Sequence, residues 1–138
     1  MTMLRLFALG TIATLLTAAS GAVAAQSPAA PDPGRIVSTA WVAQHLNDPS
    51  VRVIATGNEG RYELGHIPGA RHIPLGYLPD RFAEIPRSKP IVLQCQSGSR
   101  SAIGASLLRA RGFDPVINFT GGMSAWVADG RAVDTSSR

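Results

Sequence analysis

Cys95 is the only cysteine in 138 residues, and it stands where the apolar run Ile91-Val92-Leu93 gives way to Gln96-Ser97-Gly98-Ser99-Arg100. In an open parallel sheet, ligands bind beyond the carboxyl ends of the strands, where a strand passes to its helix. A thiol at that point is placed for chemistry. The small and polar residues after it can turn successive backbone N–H groups inward as an anion nest, and the helix that follows adds partial positive charge at its N-terminus. Gly98 permits a positive φ in a tight cradle, and Arg100 offers a permanent cation with a planar donor fork. Dipole and cation both favour thiolate over thiol, so the sulfur's pKa is expected to fall. The expected site is Cys95 as nucleophile, with Gln96, Ser97, Gly98, Ser99 and Arg100 binding a small anion. A free cysteine is otherwise a small buried hydrophobe, but such a residue needs neither a glycine-bearing polar turn nor a basic helix start.

The elements that must position this loop follow from apolar periodicity. Ser38 or Thr39 caps a short helix carrying Trp41, Val42, Ala43 and Leu46, and Asn47-Asp48-Pro49 ends it. Val51 to Ile54 is a β-branched run of strand length. The stretch "ATGNEGRYEL" reads as a polar loop, Ala70 to Ile73 as a short extended segment, and Leu75 to Phe82 as a short helix or turn. Pro90 to Leu93 is a strand buried on both faces. Ser101 to Arg111 is a helix stopped by Gly112. Val116 to Phe119 is a further strand, and "TGGMSAWVADG" a glycine-bearing turn with a short terminal helix. Strands alternating with helices predict an α/β fold, a parallel sheet flanked by helices on both faces.

The two ends of the chain read differently. Residues 1–25 combine a weakly basic start, an apolar run from Leu6 to Leu16 and the small-residue end Ala22-Val23-Ala24-Ala25, the pattern of a secretory signal peptide. Thr11, Thr14, Thr17 and Ser20 dilute the run below the ~20 mostly apolar residues of a spanning helix. Cleavage after Ala24 or Ala25 is expected to leave a periplasmic or secreted chain with no stable membrane anchor. Residues 26–34, "QSPAAPDPG", form a flexible leader, 35–132 a single domain, and 133–138 a C-terminal tail. With one cysteine no internal disulfide can close, so the core depends on apolar packing even in an oxidising compartment. The formal charge of +4 comes from scattered arginines and a single lysine, Lys89, with 6% aromatic residues. No basic cluster interleaves with aromatics, so no nucleic-acid partner is expected. His45 and His72 have no convergent partners, so neither a metal site nor a cofactor is expected.

"GHIPGA" at Gly65 to Ala70, "CQSGSRS" at Cys95 to Ser101 and "GGMSAW" at Gly121 to Trp126, taken in this order, resemble the signatures of a single-domain rhodanese. The opening "IVSTAWVAQHLNDPSVRVI" is similar to the start of thiosulfate sulfurtransferase domains. The resemblance implies that the loop cradles the sulfur and that Cys95 carries a persulfide. It further implies a double displacement: a small sulfur-bearing anion such as thiosulfate donates its outer sulfur, and a thiol or cyanide accepts it. This is nucleophilic catalysis with an N–H cradle as its electrostatic part. A second cysteine nearby would resolve the persulfide into a disulfide, which is a reason for the thiol to stand alone.

The chain departs from that pattern at one place. The strand before "GHIPGA" commonly ends in an Asp-x-Arg element in this family, and here the residues are Ala55-Thr56-Gly57. Arg61 is either a replacement cation or a solvated loop arginine. The resemblance makes His66 a structural residue of its turn. Trp41 and Trp126 read as packing residues, and Gly121 and Gly122 as a turn of unusual φ near the active-site loop. Cysteine phosphatases also run from Cys to Arg, with five residues between. The four here, Gln96 to Ser99, favour a single sulfur over a phosphate. A non-enzymatic module that binds a sulfur-bearing partner or senses oxidation through Cys95 is the other alternative.

Overall fold

The structure, a computed structural model, describes residues 36–136. The expected signal peptide and leader lie outside the described residues. Four parallel strands form one sheet in the order β2-β1-β3-β4: β1 at Arg52–Ala55, β2 at Arg71–His72, β3 at Ile91–Gln94 and β4 at Val116–Asn118. Helix α1 spans Thr39–Gln44, α2 Glu59–Glu63, α3 Ser99–Ala110 and α4 Gly122–Ala128. This is the parallel α/β architecture expected from the sequence.

The period of two along the strands divides the core between the two faces. Val53 and Ala55 of β1, Val92 of β3 and Ile117 of β4 pack with Val42 of α1, Tyr62 of α2 and Met123 and Trp126 of α4. Ile54, Ile91, Leu93 and Val116 face the opposite way, onto Ala105 and Leu108 of α3, with Leu78, Ile85 and Phe113. Every residue of β3 is buried, the apolar run Ile91 to Leu93 and the polar Gln94 that ends it. Trp126 is buried and donates from Nε1 to the Ala132 carbonyl at 2.8 Å, whereas Trp41 stacks on His45 at 3.9 Å between centroids.

One element differs from the sequence reading. Residues 59–63, expected as loop, form α2, because the Asn58 side chain accepts from the Arg61 N–H at 3.2 Å and Tyr62 buries against the core. One capped turn with one buried residue carries no detectable apolar period. Leu75 to Phe82, expected as a short helix or turn, forms two 3-10 turns, Leu75–Tyr77 and Pro79–Glu84. The segment expected as a tail is attached as far as Asp134, which exchanges two backbone hydrogen bonds of 2.9 Å with His66.

Candidate active site

Cys95 follows β3 directly and is buried, at 3% exposure. The Gly98 N–H donates to Sγ at 3.1 Å, and Ser101 Oγ lies 3.6 Å from the same atom. That hydroxyl also lies 3.0 Å from the Gly98 carbonyl, but this carbonyl accepts from the Ala102 N–H at 3.0 Å and from Asn118 Nδ2 at 3.5 Å. The Ser101 proton is thus available to the sulfur without stranding its alternative acceptor. Burial pushes the thiol pKa up. Hydrogen bonds from the backbone and hydroxyl of Ser101, and from the backbone N–H groups of Ser97 and Gly98, outweigh it, and the thiol titrates below its ordinary range.

Two close backbone approaches give the loop its shape. Gly98 has φ +97°, and a Cβ there would stand 2.3 Å from the Thr120 carbonyl oxygen. Gly122 has φ +53°, and a Cβ there would stand 2.3 Å from the Cys95 carbonyl oxygen and 2.8 Å from that of Gln96. Only glycine fits either position. With Gly122 so close, the N–H of Met123 donates to the Cys95 carbonyl at 2.9 Å and that of Ser124 to the Gln96 carbonyl at 3.0 Å. The first turn of α4 takes the loop's carbonyls, so the loop's own N–H groups remain for the sulfur.

The six expected site residues do not act alike. Cys95, Ser97 and Gly98 build the cradle. Gln96 turns away from the sulfur, its Nε2 donating to Ser124 Oγ at 3.0 Å, although it lines the cleft at the thiol. Ser99 is exposed at the first residue of α3. Arg100 reaches across to β1, with Nη1 3.9 Å from where a Cβ on Gly57 would stand, and it is not among the groups that lower the thiol pKa. Ser101 does lower it, and its placement on the buried face of the first turn of α3 was the signal for that role.

The cleft beside Cys95 is lined by Ala55, Gly57, Tyr62, Gln94 and Met123, with Arg61 and Gln96. Arg61 is exposed and stands on this cleft through the Asn58 cap of α2. Where the Asp-x-Arg element is missing, other bonds join the strand ends. The Thr56 hydroxyl and N–H donate to the Gln94 carbonyl at 3.0 and 2.8 Å, and His72 Nε2 lies 2.9 Å from the Gly57 carbonyl. His66 is buried, stacked on Tyr62 at 3.7 Å, with Nδ1 3.1 Å from the Tyr62 carbonyl and Nε2 3.8 Å from Asp134. A larger cavity lies beyond the His66-Tyr62-His72 stack, but Arg71 and Arg81 on its wall both pair with Glu84, and no nucleophile faces it. Among the described residues no group of His, Cys, Asp and Glu is arranged to hold a metal ion.

A buried thiol at a strand end, held by the N–H groups of the following turn, occupies a region matched by the rhodanese-like domain over residues 38–129. The chain belongs to the rhodanese-like family. It is 38% identical over 66 residues to a sulfurtransferase of Allochromatium vinosum, covering 48% of this chain and 62% of that protein. It is 30% identical over 86 residues to the thiosulfate sulfurtransferase GlpE of Ectopseudomonas mendocina, covering 62% of this chain and 79% of that one. The chain spans 43%, 60% and 62% of the length of three curated relatives that it matches at 38–40% identity. Among solved structures, a rhodanese-like domain protein from Staphylococcus aureus superposes with a TM-score of 0.66 at 27% identity, covering 75% of this chain and 99% of that one. A rhodanese-related protein from Thermoplasma volcanium superposes at 0.68 with 22% identity, covering 74% and 99%, a likeness of fold. No helix among the described residues is long and apolar enough to cross a membrane.

Proposed function

We propose that this rhodanese-like chain is a sulfurtransferase that moves a sulfane sulfur from an anionic donor such as thiosulfate to a thiol or cyanide through a persulfide on Cys95. The observation that carries the reading is a lone buried thiol at a strand end whose sulfur accepts from the Gly98 N–H at 3.1 Å, with Ser101 Oγ at 3.6 Å. In the first step the Cys95 thiolate attacks the outer sulfur of thiosulfate, the S–S bond breaks, sulfite leaves with the electron pair, and Cys95 retains S–S⁻. The N–H groups that favour the thiolate then favour the persulfide anion, whose charge is spread over the same region. In the second step an acceptor takes the outer sulfur and Cys95 leaves as thiolate. Each step exchanges one S–S partner for another or forms thiocyanate, so no external oxidant is required.

The loop dimensions support sulfur over phosphate. Four residues separate Cys95 from Arg100, and Thr120 closes on Gly98, leaving the turn little freedom to widen around a tetrahedral group. Arg61, on the rim of the cleft, supplies the cation that draws the anionic donor. Export, with removal of residues 1–25, is the accompanying proposal for location.

Intact-protein mass spectrometry of the purified chain, before and after thiosulfate and then cyanide, tests the proposal. A gain of one sulfur atom that cyanide removes, absent in Cys95→Ser, is the expected result. No gain, with Cys95 still open to alkylation, would leave a binding or redox-sensing module instead. The same spectrum of protein recovered from a periplasmic fraction tests cleavage at Ala24 or Ala25, and an intact N-terminus there would refute it.

A further inference from the structure

Gln94 ends β3, one residue before the nucleophile, and is 3% exposed. Alternation along the strand turns it to the same face as Val92, where it lines the Cys95 cleft beside Ala55, Tyr62 and Met123. Its backbone carbonyl already accepts from the N–H and hydroxyl of Thr56. Its side-chain Oε1 is buried with no hydrogen-bond partner. A buried unpaired acceptor is costly and rare, and the residue that carries this one lies in the wall of the Cys95 cleft.

We propose that Gln94 determines specificity for the sulfur acceptor, its carboxamide oxygen receiving a hydrogen bond from an amide N–H on a small organic thiol. The proposal rests on the sulfurtransferase reading above. An unpaired acceptor is complemented only by a donor. Thiosulfate and cyanide carry no N–H or O–H and cannot complement it. An organic thiol with an amide a few bonds from sulfur can, and the apolar sides of Tyr62 and Met123 suit its carbon skeleton. The transfer balances as R–SH attacking the outer sulfur of Cys95–S–S⁻: a new S–S bond forms, the old one breaks, the thiol proton passes to the transferred sulfur to give R–S–SH, and Cys95 leaves as thiolate. Gln94 takes no part in that bond exchange. It holds the acceptor so that its sulfur points at the persulfide, and a site built around such a bond discriminates against ligands that lack it.

The test uses two acceptors that differ only in the donor: N-acetylcysteamine, with an amide N–H, and 2-mercaptoethyl acetate, with an ester oxygen in its place. Thiosulfate loads the protein, and kcat/KM is measured for each acceptor. The wild-type protein is expected to prefer the amide about tenfold, and Gln94→Met to bring the ratio close to one. A wild-type ratio near one, or a ratio unchanged in the variant, overturns the proposal, whereas a purely structural role would lower both rates together. A second measurement does not depend on turnover. Titration with S-methyl-N-acetylcysteamine is expected to shift the Gln94 side-chain NH₂ resonances, and absence of that shift overturns the assignment of Gln94. Failure of thiosulfate to load Cys95 would instead count against the sulfurtransferase reading, and the titration would still decide for or against Gln94.

Discussion

Ser101 Oγ lies 3.6 Å from Cys95 Sγ, six residues along the chain and in the first turn of α3. The pair turns a core-facing helix position into part of the nucleophile's environment. Ser101→Ala removes the hydroxyl donor and keeps the backbone N–H, so the thiol pKa should rise toward its ordinary value. We expect kcat/KM for thiosulfate to fall by roughly tenfold at neutral pH, with the midpoint of the alkylation-rate titration displaced upward. An unmoved midpoint would exclude the hydroxyl from the sulfur's stabilisation.

The same lowered pKa is a statement about folding. Between the depressed pKa of folded Cys95 and the ordinary pKa of an unfolded thiol, the unfolded chain holds more protons, so stability rises with pH across that interval. The contribution is fully present above the unfolded value and is lost as pH falls through the folded one. Thermal unfolding of wild type and Cys95→Ser between mildly acidic and alkaline pH should show a difference that moves in favour of the wild type as pH rises. A constant difference would contradict the assignment.

Gly122→Ala should be severe. Its Cβ would meet backbone atoms of Cys95 and Gln96, which cannot rotate aside, and φ +53° is unfavourable for alanine. A loss of about 2–4 kcal/mol in urea unfolding is expected, together with loss of persulfide formation. Thr56→Val makes a useful contrast. The Thr56 N–H keeps its bond to the Gln94 carbonyl when the hydroxyl is gone, and the expected cost is about 1 kcal/mol.

Gln94→Met removes the unpaired buried oxygen and places an apolar chain of similar length among Ala55, Tyr62 and Met123. It should stabilise the fold by about 1 kcal/mol, which for a domain of this size raises Tm by roughly 4–8 °C. A lowered Tm would mean that the carboxamide holds the wall of the cleft together.

Arg61→Ala should raise KM for thiosulfate several-fold with a smaller change in kcat, and should flatten the dependence of KM on salt. Equal salt dependence in variant and wild type would return Arg61 to the role of a solvated surface residue.

The sheet was legible because β1, β3 and β4 each carry consecutive Val, Ile or Leu residues that are buried on both faces. Cys95 and Gly98 were legible because the loop sits between such a strand and a long helix. Helix α2 was not: its one buried residue, Tyr62, carries no period, and its start depends on the Asn58 cap. Long-range geometry was also beyond reach. Nothing near Arg100 tells that its guanidinium lies beside Gly57, more than forty positions away, and nothing near Asp134 shows its pairing with His66. Gln94 follows the apolar run Ile91 to Leu93 with nothing in the sequence to mark it, and only the structure shows its oxygen buried without a hydrogen-bond partner.

The bonds from Met123 and Ser124 to the carbonyls of Cys95 and Gln96 also set a lifetime. If α4 detaches, the carbonyls it held compete for the loop's own N–H groups, and the sulfur loses its donors while the sheet is still intact. Amide hydrogen exchange at Met123 and Ser124 therefore clocks the opening of the thiolate's surroundings. Oxidants and alkylating agents should reach Cys95 at the frequency of that local event, well before the domain unfolds as a whole.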